Sequence, residues 1–386
     1  MLLSRRALAA ALVSLLLAGC TGLIFQPLSR HLLTPDRLGL AYRDIRFTAA
    51  DGVSLHGWFL PATAPRQGSV LFLHGNAQNI STHIASVAWL PDAGFDVFLF
   101  DYRGYGRSAG EPSLDGVHLD FSAALETLLA MPGVDPDRIA VFGQSLGAAI
   151  AIVGLADTGH QGKVRALVVE GAFVGYRALA REKLAAFWPT WLLQWPLSLT
   201  IDDRHRPIDR IAELAPLPIL IIQGEADQIV PTHHGVALFE RAGQPKELWL
   251  LPDVGHLQAF ARPETRRRLR DHLVGIFATA PRAIRPGLRS DRHIGERDRR
   301  RLRDIVGDHP IPKLLTVEPR ALRTAPQAAA RPGGPAASQR LEIVKEKHDA
   351  THPLTHTRAI RGGARSAFVD GGRRRRARRD GEFGDR

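Results

Sequence analysis

The sequence predicts an α/β chain: a mostly parallel, eight-stranded sheet with helices on both faces and one small insert. Three observations predict it. Short apolar runs at 69–73, 97–100, 139–142, 166–169, 219–222 and 248–251 are bounded by turn residues and separated by stretches suited to helices. Two alternating runs, 45–48 and 53–60, flank Asp51-Gly52, a hairpin signal that opens the domain with two antiparallel strands. Finally, 45% hydrophobic side chains over 386 residues are enough for a sizeable core.

The chain begins with Arg5 and Arg6 before an apolar stretch, 7–17, too short for a comfortable membrane span; this reads as a secretory signal. It ends in Leu17-Ala18-Gly19-Cys20, which resembles the bacterial lipobox. That resemblance implies removal of residues 1–19 and acyl chains on Cys20, so that the protein would be tethered in the cell envelope, facing the periplasm or the exterior. An ordinary signal with an incidental cysteine is the alternative. Cys20 is the one cysteine in the chain, so an intramolecular disulfide is excluded. Residues 20–41 read as a linker and 42–280 as the folded domain.

Within the domain the run 69–73 leads into His74-Gly75-Asn76-Ala77, and helical spacing follows over 80–90. After Gly94 and the run 97–100 comes the glycine-punctuated loop Asp101-Tyr102-Arg103-Gly104-Tyr105-Gly106-Arg107-Ser108. An amphipathic helix over 117–129 stops at Pro132-Gly133. The run 139–142 then enters Gly143-Gln144-Ser145-Leu146-Gly147 and a helix of small residues. A G-x-S-x-G sequence between strand and helix marks a sharp turn that lifts the serine hydroxyl above the sheet, where a helix N-terminus favours developing negative charge. Glycine is needed at both ends because chain segments pass too closely there for a Cβ.

A serine hydroxyl becomes a useful nucleophile when a neighbouring base takes its proton and a third group holds that base. Asp227 lies on the loop after the run 219–222, and His256 just past the run 248–251, both beyond strand C-terminal ends, where open α/β sheets carry their sites. Ser145, Asp227 and His256 are the expected catalytic set, with Glu170 as the rival acid. Asp253 is expected to form a turn and His74 to be structural. The backbone N–H groups of Leu146 and Asn76 are the expected oxyanion donors. No C-x-x-C, H-E-x-x-H or G-x-x-x-x-G-K pattern is present, so neither a metal nor a cofactor is expected.

Residues 175–216 exceed what a simple crossover needs and hold Trp188, Trp191 and Trp195. They read as a cap offering an apolar wall for an acyl chain or a face against lipid, or as aromatics that pack the insert onto the sheet. From residue 281 apolar periodicity fades and the composition predicts disorder. Of 51 Lys+Arg and 39 Asp+Glu, the segment 281–386 holds 26 and 13, so the net charge of +12 belongs to this tail and the domain is close to neutral. For an exported protein, no nucleic-acid partner is expected.

The motifs HGNAQN, DYRGYGRSAGEP, GQSLGAA and GEADQIVP together resemble the α/β-hydrolase superfamily, in the subgroup of the fungal bud-emergence homologues and the membrane-associated protein depalmitoylases. This resemblance covers some 235 of 386 residues. It implies the α/β-hydrolase fold and a serine hydrolase cleaving hydrophobic carboxylic esters or thioesters through an acyl-serine intermediate, with Ser145, Asp227 and His256 as the triad. Relatives often carry an asparagine after the catalytic histidine; here Leu257 stands there. A serine aminopeptidase on the same fold and a non-catalytic anchored binding protein are the alternatives. No oligomeric state is assigned.

Overall fold

A computed structural model describes residues 24–279. The signal segment, Cys20 and the tail 281–386 lie outside the described residues. The chain divides into two units, Met1–Val344 and Lys345–Arg386, and the second lies wholly outside them.

Eight strands form the main sheet: β1 Arg43–Thr48, β2 Ser54–Leu60, β3 Gly68–Leu73, β4 Phe95–Asp101, β5 Ile139–Gln144, β6 Ala166–Glu170, β7 Ile219–Gly224 and β8 Lys246–Leu251. Their spatial order is β1-β2-β4-β3-β5-β6-β7-β8. β1 and β2 pair antiparallel around Gly52, β2 meets β4 antiparallel, and every other pairing is parallel. This is the α/β-hydrolase fold.

Strand side chains divide between two faces with period two. Leu71, Leu73, Phe98 and Phe100 join one core, whereas Val70, Phe72, Val97 and Leu99 join the other. Helices α1 Leu114–Leu129 and α2 Leu146–Asp157 cover the first face. The C-terminal helix, Pro263–Ala278, sends Leu269, Leu273 and Phe277 into the second. Burial on both faces explains why the central strands read as unbroken apolar runs.

Two expectations change. The helix expected over 80–90 is one turn, Ile80–His83, followed by a 3-10 turn, Ile84–Ser86, and irregular chain. Spacing alone cannot separate a helix from successive turns that bury Ile80, Ile84, Val87 and Leu90. The described part of the linker, 24–41, is also built into the domain. Gln26 and Pro27 pair with Ala77 and Gln78, the Asn79 side chain donates to the carbonyls of Leu28 and Arg30 at 2.7 and 2.8 Å, and His31 contacts Asp101 at 2.7 Å. These partners lie about fifty positions or more away, beyond the reach of local pattern.

Candidate active site

At the end of β5 the chain turns into α2 through Ser145, whose φ of 51° is a left-handed conformation for a residue with a side chain. Such a backbone costs on the order of 1–3 kcal/mol and persists where its surroundings impose it. They do so here. The Ser145 N–H donates to the carbonyl of Glu170 at 2.8 Å, and that carbonyl ends β6. A Cβ at Gly143 would stand 2.4 Å from the carbonyl oxygen of Gly147, and one at Gly147 would stand 2.3 Å from that of Leu73. Both glycines are therefore required sterically. The Ser145 hydroxyl does not cap α2.

The loop after β7 carries Asp227, whose Oδ1 accepts the N–H groups of Ile229 and Val230, both at 2.8 Å. Those bonds aim Oδ2 at His256 Nδ1, 2.7 Å away. Since an ionised carboxylate only accepts, Nδ1 carries the proton and Nε2 is left free to act as a base. The ring lies over the end of β6: a Cβ on Gly171 would meet His256 Cε1 at 3.1 Å. Gly171 directly follows Glu170, which holds the Ser145 N–H. The structure thus brings Asp227 onto His256 and sets the ring beside the serine turn. Among the described residues no hydrogen bond joins the ring to the Ser145 hydroxyl, a contact that commonly tightens only around substrate.

Leu146 supplies the first N–H of α2, which has no intrahelical acceptor. Asn76 sits on the facing loop after β3, but its side chain is committed elsewhere. Its Oδ1 accepts from Tyr105 Oη at 3.0 Å and from the Gln26 N–H at 3.2 Å, and its Nδ2 donates to the Ile24 carbonyl. His74 is buried; its Nδ1 donates to the Gly75 carbonyl at 2.7 Å, and burial pushes its pKa down to about 3, so the ring is neutral. Asp253 occupies a turn with φ of 56°. Leu257 also has φ of 56°, a conformation asparagine tolerates better than leucine.

Glu170 does not contact His256 Nδ1. Its Oε1 accepts the Ala259 N–H at 3.0 Å and its Oε2 accepts Gln144 Nε2 at 2.6 Å. Burial raises its pKa. It ties the residue before Ser145 to the loop after His256, a role sequence reasoning missed because Ala259 is 89 positions away. The same reasoning missed Asp101 and Tyr102 as braces of the Asn76 loop: Tyr102 Oη donates to the His74 carbonyl at 3.0 Å, and Asp101 Oδ1 accepts the Ile80 N–H at 3.0 Å.

Within the insert, helix α3 spans Tyr176–Ala186 and a short helix, α4, spans Gln194–Leu199. Helix α3 grips the acid loop. Lys183 donates to the carbonyl of Gln228, and Glu182 holds His233 and His234, each at 3.1 Å. Burial opposes ionisation of Glu182, but these two histidines outweigh it and bring its pKa down to about 2. Tyr176 is buried in the core, but the insert's tryptophans do not pack onto the sheet: Trp188 is 84% exposed and Trp191 55%.

Two groupings among the described residues could each offer three metal ligands, His31/His56/Asp101 and Glu182/His233/His234. In the second, His234 Nδ1 accepts the Val174 N–H, which places the proton on Nε2, the atom a metal would need. In the first, Asp101 already accepts His31 and the N–H groups of Ile80 and Arg107. Both fit hydrogen-bonded clusters better than metal centres.

A family profile described as "Serine aminopeptidase, S33" matches residues 64–214. The chain is 36% identical over 223 residues to the protein YfhR of Escherichia coli O157:H7, a match covering 56% of this chain and 74% of that one. It is 34% identical over 244 residues to the α/β hydrolase domain-containing protein WAV2 of Arabidopsis thaliana, covering 60% and 78%. Among solved structures it resembles the Pyrococcus furiosus esterase Pf2001, with a TM-score of 0.54 and 25% identity over 66% of this chain and 97% of that one. With this sheet order, this serine turn and relatives matched over three quarters of their length, the chain belongs to the α/β-hydrolase family.

Proposed function

We propose that this hydrolase cleaves carboxylic esters or thioesters through an acyl-serine intermediate, with Ser145 as nucleophile. The observation that carries the reading is the 2.7 Å contact from Asp227 to His256 Nδ1, which leaves Nε2 free beside a serine presented on a strained turn. In the first step His256 Nε2 takes the Ser145 proton as Oγ attacks the acyl carbon, and the N–H groups of Leu146 and Asn76 receive the oxyanion. Collapse expels the alcohol or thiol, which leaves with that proton. Water then repeats the sequence on the acyl-serine, releasing the acid and restoring the hydroxyl. Asp227 stabilises the imidazolium in both halves.

The likeness to an esterase structure supports ester cleavage, and the lipobox-like segment at Cys20 supports a membrane-tethered enzyme. A second reading, an aminopeptidase, is favoured by the family description alone. One assay separates the two: p-nitrophenyl esters of increasing acyl length against aminoacyl p-nitroanilides. Turnover of the esters with little on the anilides is expected; the reverse would replace the esterase reading.

A further inference from the structure

Residues 184–201 form an eighteen-residue stretch without a charged side chain. Apolar stretches of this kind are normally buried in a soluble domain, yet this one faces outward. Phe187, Trp188, Trp191, Leu192, Trp195 and Leu199 are 59, 84, 55, 78, 61 and 63% exposed. A contiguous patch of this composition marks an interaction surface. We propose that it is a docking face for the surface of an anionic lipid bilayer.

Side-chain chemistry favours a bilayer over a protein partner. Three tryptophans interleaved with leucines suit the headgroup–acyl boundary, where an amphipathic ring satisfies both layers. The adjoining turns of α3 carry Arg177, Arg181 and Lys183. Arg177 donates to the Ile201 carbonyl, Arg181 lies over the Trp195 ring at 4.4 Å, and Lys183 donates to the Gln228 carbonyl. Asp203 accepts the Arg177 N–H at 3.1 Å and faces its charge, but among the described residues no carboxylate pairs with Arg181 or Lys183, and Glu182 between them is taken by His233 and His234. The rim therefore keeps positive charge to offer anionic headgroups. Pro189 and Pro196 divide the stretch into short turns, which spread the aromatics over a surface rather than along one helix stripe.

The patch is joined to the site. Helix α3 holds the loop of Asp227 through Lys183 on Gln228 and through Glu182 on the first turn of the following helix, Thr232–Arg241. A bilayer on the patch would thus lie against the edge of the sheet that carries Ser145. The docking does not depend on the hydrolase reading; delivery of a bilayer-borne ester to Ser145 rests on it.

The test mixes the full chain with phosphatidylcholine–phosphatidylglycerol vesicles whose acyl chains are brominated, and reads tryptophan emission. Of the six tryptophans, Trp58 and Trp249 are buried and three lie in the patch. Whatever else holds the protein to the vesicle, only rings inside the bilayer are quenched, so emission is expected to fall about twofold. The variant Trp188→Ser/Trp191→Ser/Trp195→Ser is expected to show no quenching while still labelling with a fluorophosphonate, which reports an intact fold. It should also lose about tenfold in rate on a long-chain ester carried in vesicles and keep its rate on a soluble short-chain ester. Vesicle binding without quenching, or a dimer that the triple variant disperses, would overturn the proposal. If quenching occurs but neither ester is cleaved, the docking face stands and the hydrolase reading falls.

Discussion

At the scale of single residues, the distinction between Asp227 and Glu170 decides the chemistry. Both are buried carboxylates near the strand ends, and sequence left them as rivals. Their partners separate them: Asp227 accepts His256 Nδ1 at 2.7 Å, whereas both oxygens of Glu170 go to Gln144 and Ala259. Asp227→Asn would turn the imidazole to the wrong tautomer, and kcat is expected to fall about 10⁴-fold with little change in KM. Glu170→Gln is expected to keep kcat within about tenfold, because the Gln144 amide can flip and present its Oε1 to the new donor. Steady-state kinetics on a soluble ester checks both; the opposite ranking would exchange the roles.

At the scale of elements, the loop bearing Asn76 is held from two directions, by the chain after β4 and by residues 24–32. Asn79 joins these supports. Its Oδ1 caps the turn Ile80–His83 through the Ser81 N–H at 2.9 Å, while its Nδ2 donates to Leu28 and Arg30. Replacing it with alanine removes a helix cap and leaves two part-buried carbonyls without their donor, so Asn79→Ala should lower the unfolding free energy by about 2 kcal/mol, read from urea titration. Elements differ in how legible they were. The strands of the sheet are short apolar runs with turn punctuation, and their C-terminal ends locate Ser145, Asp227 and His256 without any knowledge of contacts. The N-terminal arm has neither periodicity nor apolar density; contacts to Asn79 and Asp101 hold it, and no local pattern encodes them. The stretch 80–90 misled for a related reason, since apolar residues at helical spacing also serve successive turns that bury one side. In the insert, composition announced the tryptophans but could not say whether they faced the sheet or solvent.

For the whole molecule, buried imidazoles tie stability to pH. Burial brings His74 and His118 down to about 3, from 6.5. The unfolded chain then binds protons between those values that the folded chain does not. Each histidine therefore contributes stability that is complete above pH 6.5 and is lost as pH falls toward 3. His56 acts oppositely: burial works against its charge, but Asp101 and Asp44 raise its pKa, so its contribution is complete at low pH and fades as pH rises. Burial lowers His83, His160 and His272 in the same direction, so five groups against one leave a net loss on acidification. The unfolding free energy read from urea titration should therefore fall as pH is lowered from about 7.5 to about 5.5, by up to about 1.4 kcal/mol per histidine for each unit below 6.5, and the midpoint with it. A midpoint that rises over that interval would mean these rings are not held neutral.

The central claim is that one serine, raised on the turn between β5 and α2 and served by His256, carries the reaction. Fluorophosphonate labelling followed by mass-spectrometric mapping of the adduct tests it most directly. The account predicts one adduct, on Ser145, absent in Ser145→Ala and formed at least about 10³-fold more slowly in His256→Ala. Labelling of Ser145→Ala at the rate of the unsubstituted protein, or an adduct on any other residue, would contradict it.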